Sequence, residues 1–331
     1  MRSSLAGLCS LFIENRDVVK STFTWESNYM YPVCASIITD KRMQADEGRL
    51  RRCKELLNEQ TGVFSNFRST AKLAMIAMMS VDSNPNEKLK NALLVYDNLK
   101  EHFRTSQYLP VASMLIADMV EPDLYRKKAV QTRRIYELMK NVHPFLTSGE
   151  DSIYAAMLAL SEQSEEDIVD EAENCYQLLK PEFFSGNAVQ SLSLVLTLCE
   201  GSAEEKCNAV MELFRELKAR GYKYGTEYEL STLGVLAMLP AERETIIQDI
   251  IETDGFLADQ RGYGFFGIGR KQRLMHAGMI VTSDYLKDTH TMQSTATHSA
   301  IALIVAQQAA MCAAIAASSA AASASSSSGS N

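Results

Sequence analysis

The sequence is poor in the residues that build catalytic and metal sites. Its 331 residues include five histidines and one tryptophan, and neither an H-E-x-x-H nor a C-x-x-C motif occurs. Metal ions need clustered histidine, cysteine or carboxylate ligands at short spacings, so we expect no metal site and no cofactor. The seven cysteines are odd in number and widely spread. That usage indicates reduced thiols and a cytoplasmic protein.

The sequence also has no excess of basic residues and few long apolar runs. The chain has 33 basic and 41 acidic residues, which disfavours nucleic acid as a partner because phosphate binding needs a basic face. Residues 300–317 are long enough to span a membrane, but they contain Gln307 and Gln308 and lack a basic flank. We therefore expect a tail helix that packs on the protein and makes no contact with a membrane. The alternative is that these residues span a membrane.

A six-residue segment with an aromatic at its second position recurs along the chain. Its four copies occupy residues 95–100, 135–140, 175–180 and 213–218, and the aromatics are Tyr96, Tyr136, Tyr176 and Phe214. A period near 40 residues is typical of helical-hairpin repeats, in which each unit buries its apolar face on its neighbours.

Two kinds of helix alternate within this period. Amphipathic helices carry this segment and are predicted to begin near residues 46, 85, 123, 165, 203 and 241, one of them with a capping box at Ser202. Helices apolar on all sides are predicted to begin near 67, 107, 149, 186, 226 and 269. The fold prediction is all-α, with about six hairpins in two layers, apolar helices inside and amphipathic helices outside. It could form a curved α-solenoid or a closed α/α toroid.

The predicted boundaries follow this reading. Residues 1–293 form a single helical-repeat domain, with N-terminal helices in 1–44 and hairpin repeats in 45–290. Residues 294–317 form an Ala-rich tail helix, and the Ala/Ser segment 318–331 is expected to be disordered.

The starts of the inner helices are the predicted binding site. If these helices run in one direction, their N-termini gather at one end and present unpaired N–H groups to an anion. The alternative is that these polar residues only cap helices or face water. The candidate ligand-binding residues are Asn66, Arg68, Asn187, Gln190, Tyr228, Arg270, Lys271 and Arg273.

Two further motifs have competing interpretations. Glu150, Asp151 and Glu227 could serve as paired catalytic acids at the mouth of a toroid, which is the enzyme alternative. The G-x-G-x-x-G motif at residues 262–267 lacks the preceding strand of a nucleotide-binding unit, so we interpret it as a loop. Trp25 is expected to pack against the N-terminal helices, and the loop tyrosines and phenylalanines to fill the connections.

Several segments carry a resemblance to a known family. The chain resembles, over nearly its whole length, the Bacillus and Firmicutes family called domain of unknown function 4003. The resemblance implies a bacterial, cytoplasmic protein and brings no activity with it. The matching stretches are residues 25–27, 30–32, 62–68, 183–192, 221–225, 262–269 and 306–312.

The functional expectation is a helical-repeat binding or scaffold module. Its partner would be a peptide, a protein or a small anionic ligand. The alternative is a toroid hydrolase that acts through the three carboxylates, Glu150, Asp151 and Glu227.

Overall fold

The protein is all-α over the residues that the structure describes. The structure, a computed structural model, describes residues 1–161, 163–264, 267–286, 310–311 and 313–319. Between residues 3 and 286 of this part there are fourteen α-helices and no strand. Their bounds are α1 Ser3–Thr22, α2 Met30–Asp40, α3 Glu47–Gln60, α4 Lys72–Ser80, α5 Pro85–Lys100, α6 Leu109–Met119, α7 Tyr125–Val142, α8 Ser152–Leu158, α9 Glu165–Leu179, α10 Gly186–Thr197, α11 Ala203–Ala219, α12 Leu230–Ala237, α13 Arg243–Ala258 and α14 Arg270–Tyr285.

Sequence-predicted helix starts agree with these bounds. All twelve lie within five residues of the start of an observed α-helix. Short 3-10 turns precede α4, α7 and α8, at Asn66–Arg68, Pro122–Leu124 and Gly149–Asp151. The capping box at Ser202 is present, since the Ser202 side chain accepts from Glu205 N–H and the Glu205 side chain accepts from Ser202 N–H.

Burial separates the two kinds of helix. Every residue of α2 and of α8 is buried, whereas α3 buries only Leu50, Cys53, Leu56 and Leu57. A helix buried on all sides must be apolar on all sides, and an amphipathic helix keeps one face in water. The even-numbered helices therefore make the core, and the odd-numbered helices from α3 onward face solvent.

The described chain divides into two compact units. The 12–165 unit comprises residues 12–165 with described residues after 313, and the 166–313 unit comprises residues 1–11 and the described residues of 166–313. In the 166–313 unit, Arg2 Nη2 lies 2.7 Å from Asp249 Oδ2 and 3.0 Å from Asp284 Oδ2. These ion pairs fix the beginning of α1 against α13 and α14.

The C-terminal predictions fall mostly outside the described residues. Residues 310–311 and 313–319 are helical, and Ser318 and Ser319 are buried in a stretch where we expected disorder. The rest of the predicted tail helix 294–317 and of the tail 318–331 lies outside the described part. Across the described residues, no helix has both the length and the apolar character needed to cross a bilayer.

Candidate functional site

The beginnings of the inner helices lie side by side in the 12–165 unit. Lys72 Nζ at the start of α4 is 2.8 Å from Glu26 Oε1 in the loop before α2. Thr70 Oγ1 donates to Gln107 Oε1 at 3.0 Å, which joins the loops before α4 and α6. Since neighbouring inner helices begin together, they run in one direction.

The loop before α8 continues this row. A Cβ placed on Gly149 would lie 3.7 Å from Ser106 Cβ in the loop before α6. All four loops, before α2, α4, α6 and α8, therefore occupy one side of the 12–165 unit. Each runs from the C-terminus of an outer helix to the N-terminus of an inner one.

The 166–313 unit repeats part of this arrangement. Gln272 Nε2 in the first turn of α14 donates to the Tyr228 hydroxyl before α12 at 2.6 Å. Arg270 Nη2 donates to the carbonyl of Gly221 at 2.8 Å, and its guanidinium lies 5.4 Å from the Tyr222 ring centroid. The loops before α12 and α14 are thus adjacent, as the anion-site prediction required.

Two predicted anion-binding cations already have partners inside the protein. Arg68 Nη2 donates to the carbonyls of Asn58 and Thr61 at 2.5 and 2.6 Å, so it caps the end of α3. Arg273 donates from Nε and Nη2 to the Asp254 carboxylate at 2.8 and 2.9 Å. The charge of Arg273 is therefore paired with a carboxylate, and the Nη2 group of Arg68 is engaged by backbone carbonyls.

The other candidate residues differ in their burial and in their contacts. In the 12–165 unit, Asn66 Nδ2 donates to the Tyr96 hydroxyl at 3.1 Å. In the 166–313 unit, Gln190 is buried, Tyr228 is half-buried, and Asn187 and Lys271 are exposed. The prediction of an anion site from these residues stays a prediction.

Of the proposed acids, Glu150 and Asp151 lie in the 12–165 unit, and Asp151 has a structural role there. Asp151 Oδ2 accepts from Ser148 N–H at 2.7 Å, which completes a capping box at the start of the 3-10 turn. Burial raises the pKa of Asp151 to about 7 and also raises the pKa of Glu150. Glu227 is exposed in the 166–313 unit. The Asp151 carboxylate therefore serves as a helix cap, and its raised pKa does not by itself make it a catalytic acid.

The Gly-rich motif forms a tight loop. Ile268 N–H donates to the Gly262 carbonyl at 2.9 Å, and Gly264 N–H donates to the Ile268 carbonyl at 3.1 Å. Gly262 and Gly264 have φ of 97° and 114°, a region that disfavours side chains. A Cβ on Gly267 would lie 2.2 Å from the Gly262 carbonyl oxygen. The glycines are thus explained by the loop's own backbone, without a phosphate.

Histidine 276 is a core residue beneath this loop. Its Nδ1 lies 3.0 Å from the Tyr263 hydroxyl, and the ring is buried. The buried imidazole therefore has a hydrogen-bonding partner inside the protein. A small cavity in the same unit has a volume of about 10 Å³ and is lined partly by Met279 and Met311. That volume holds no more than about one water molecule.

Four large aromatic side chains are almost completely exposed, against expectation. Trp25 is 99% exposed, Phe64 100%, Phe145 99% and Phe184 99%. The prediction that Trp25 packs against the N-terminal helices was wrong, as was the prediction that loop phenylalanines fill the connections at these positions. Each aromatic lies in a loop that leads into an even-numbered, inner helix.

Three of these aromatics and one cation lie in the four neighbouring loops that precede the inner helices of the 12–165 unit. Trp25, Phe64 and Phe145 occupy the loops before α2, α4 and α8, and Arg104 occupies the loop before α6. Arg104 is exposed and forms no ion pair with any residue in the described part of the chain. We call these four residues, Trp25, Phe64, Arg104 and Phe145, the aromatic edge.

One protein-family model matches most of the chain. The family model described as protein of unknown function (DUF4003) matches residues 15–309. The chain belongs to this family. The matched range contains every residue of the aromatic edge and every sequence-predicted site residue. No curated protein and no solved structure was found to match the chain.

One sequence signal could have pointed to the aromatic edge. The aromatics of the edge and Phe184 are separated from one another by 39, 81 and 39 residues along the chain. These separations are close to one, two and one repeat periods. A periodic aromatic can be a core residue or a surface one, and the loop position alone does not decide between them. The sequence interpretation assigned these aromatic side chains to the core.

Proposed function

We propose that this DUF4003 protein is a cytoplasmic binding module that contacts a protein or peptide partner through the aromatic edge. Its helical hairpins would stack as a curved α-solenoid, with a closed α/α toroid as the alternative. The observation that carries this proposal is the nearly complete exposure of Trp25, Phe64 and Phe145 on one side of the 12–165 unit.

Exposed aromatic side chains on one side favour a partner surface. Single exposed apolar residues are ordinary, whereas a contiguous exposed apolar patch marks an interaction site. Three exposed aromatic rings in neighbouring loops favour such a patch. Trp and other large side chains supply much of the binding energy in protein interfaces. In helical-repeat proteins the loops on one face often form the binding face.

The contacts of the predicted cations make a macromolecular partner a better candidate than a small anion. Arg68 and Arg273 already bind carbonyl and carboxylate oxygens of the protein. The toroid hydrolase is not proposed, because Asp151 accepts the Ser148 N–H as a helix cap. None of the four residues of the aromatic edge has such a partner within the part of the chain that the structure describes.

Site-specific photo-crosslinking tests the proposal. Benzoylphenylalanine would replace Phe64 or Phe145 in separate variants expressed in the source cell. The matched control places the same residue at Leu94, which is 53% exposed on the outer helix α5. We expect discrete protein adducts from positions 64 and 145 and none from position 94.

The pattern of adducts decides the result. The same adducts at all three positions would indicate non-specific collision and contradict the proposal. No adduct at 64 or 145, with the probe shown to be incorporated, would also contradict it.

A further inference from the structure

Two buried cysteines of the 166–313 unit contact each other across consecutive outer helices. Cys207 in α11 donates from Sγ to the carbonyl oxygen of Cys175 in α9 at 3.7 Å. A further hydrogen bond joins the two thiol groups directly. The exposed fraction is 0% for Cys175 and 1% for Cys207. Each thiol therefore has the other as a neighbour inside the protein.

A buried lysine lies next to this pair. Lys206 precedes Cys207 in α11, its side chain is 3% exposed, and its Nζ lies 2.6 Å from Glu171 Oε1. The same Nζ donates to the carbonyl of Cys199 at 3.2 Å. A nearby ammonium group favours a thiolate, whereas a nearby carboxylate disfavours it. Lys206 therefore favours the ionised form of Cys207, and Glu171 partly offsets this effect.

The two thiols differ in acidity. The hydrogen bond from Cys175 lowers the pKa of Cys207, and the same bond raises the pKa of Cys175. By contrast, burial raises the pKa of Cys9 to about 11, of Cys53 to about 11 and of Cys199 to about 12. Among the cysteines in the described part of the chain, only Cys207 has a lowered pKa. It is therefore the thiol that ionises most readily.

A thiolate beside a second thiol can close into a disulfide when an oxidant reaches it. The Cys207 thiolate attacks one oxygen of hydrogen peroxide, the O–O bond breaks, and a sulfenic acid and hydroxide form. The Cys175 sulfur then attacks the sulfenic sulfur, whose S–O bond breaks as the S–S bond forms. The Cys175 proton leaves with the departing hydroxide as water. The peroxide thus takes one electron from each thiol, and both of its oxygens end as water.

Burial determines which oxidant can act. Buried thiols react slowly with large reagents, because a wide opening of the structure is needed to admit them. Hydrogen peroxide is uncharged and little larger than water, so a small local opening is enough. The two sulfurs then need only close from hydrogen-bonding distance to the disulfide bond length of about 2.05 Å.

We propose that Cys175 and Cys207 form a peroxide-sensitive thiol pair, which closes into a disulfide that joins α9 to α11. The disulfide is reversible, since a dithiol reductant can restore both thiols by exchange. The pair lies in the 166–313 unit and shares no residue with the aromatic edge. Its oxidation is therefore a property of the chain beyond the proposed binding function.

Peptide mass spectrometry of the folded, full-length protein tests the pair. The reduced protein is treated with hydrogen peroxide, its remaining thiols are blocked in denaturant, and it is digested without reduction. Trypsin together with Glu-C puts each cysteine of this region in a separate peptide, since cleavage follows Glu182, Glu200 and Lys206. We expect the Cys175 and Cys207 peptides to become linked at least about tenfold faster than any other thiol is lost. Dithiothreitol should release them.

Two serine variants assign the roles of the thiols. In Cys175→Ser the hydroxyl can still donate to the Cys207 thiolate, so dimedone should label a sulfenic acid at Cys207 and no linkage should form. Cys199→Ser is the matched control, because Cys199 is also buried but its Sγ donates to the carbonyl of Val195 at 3.7 Å. This variant should form the linkage as the parent protein does. Circular dichroism before oxidation checks that each variant is folded, and the linkage map of the parent depends on neither.

Three results would overturn the inference. A linkage of Cys199 to Cys207, or linkages between chains, at a comparable yield would show that oxidation does not select the pair. Unreacted Cys175 and Cys207, while the same peroxide oxidises free glutathione, would show that burial protects both thiols. A linkage between them that forms only in denaturant would show that the folded chain does not hold the two sulfurs together.

Discussion

Phe67 packs edge-on against Tyr96, with ring centroids 5.2 Å apart and planes at 78°. Equivalent contacts join Phe103 to Tyr136 and Phe183 to Phe214. In each pair, a buried aromatic of one loop contacts the aromatic of the recurring segment in the next outer helix. The segment therefore anchors the loop that precedes it.

The anchoring contact predicts unequal effects for two phenylalanines in one loop. Phe67→Ala removes a fully buried ring and should lower the free energy of unfolding by about 3 to 5 kcal/mol. Phe64→Ala removes a fully exposed ring and should change it by less than about 0.5 kcal/mol. Urea unfolding followed by circular dichroism measures both. Similar losses in the two variants would contradict the assigned burial.

The Asp151 cap predicts a loss of stability as the pH rises. Burial raises its pKa from 3.8 to about 7, so between these values the unfolded chain ionises while the folded one stays protonated. Stability should fall through this range by up to about 4 kcal/mol and the loss should be complete above pH 7. Asp151→Asn keeps an acceptor oxygen and should remove this dependence. Melting temperatures between pH 5 and 8.5 measure the difference from the parent protein.

The capping box of α11 serves as the control. Hydrogen bonds from Ser202 lower the pKa of Glu205, which is exposed. Its contribution is therefore present above pH 4.5 and is lost as the pH falls, the opposite sign to Asp151. If Glu205→Gln altered the profile between pH 5 and 8.5 as strongly as Asp151→Asn, burial would not be the cause.

The Gly-rich loop predicts unequal tolerance of alanine. Gly267→Ala should lower the melting temperature, because its Cβ would lie 2.2 Å from the Gly262 carbonyl oxygen. Gly269→Ala should have little effect, since nothing lies within 4 Å of its Cβ and its φ is −70°. Differential scanning fluorimetry compares the two. Equal melting temperatures would mean that the loop can relax around the added methyl group.

The buried pair between α13 and α14 predicts a strong dependence on its arginine. Arg273→Ala leaves the buried Asp254 carboxylate without its partner and should cost about 3 to 5 kcal/mol of unfolding free energy. Arg220→Ala breaks an exposed pair with Glu244 and should cost less than about 1 kcal/mol. Chemical denaturation measures both. A small effect at Arg273 would restore it as a candidate for binding an external anion.

Helix positions could be predicted from the sequence, and the site could not. Helix starts depend on local signals such as the Ser202 capping box and the apolar periodicity, which lie within a few residues. Phe64 and Phe67 are the same residue type three positions apart, and Phe67 is core because it packs against residues distant in sequence, such as Tyr96 in α5. The partner of Arg273 is likewise 19 residues away, in the preceding helix.

The ion pairs of Arg2 join residues that leave the ribosome at very different times. Synthesis adds about 5 to 20 residues per second, so roughly 15 to 60 s pass between Arg2 and Asp284. The 12–165 unit is synthesised during this interval, while the first eleven residues still lack Asp249 and Asp284. Arg2 therefore reaches its final contacts long after it is synthesised, and a nascent chain stalled before Asp249 would expose this end of α1 to chaperones and proteases.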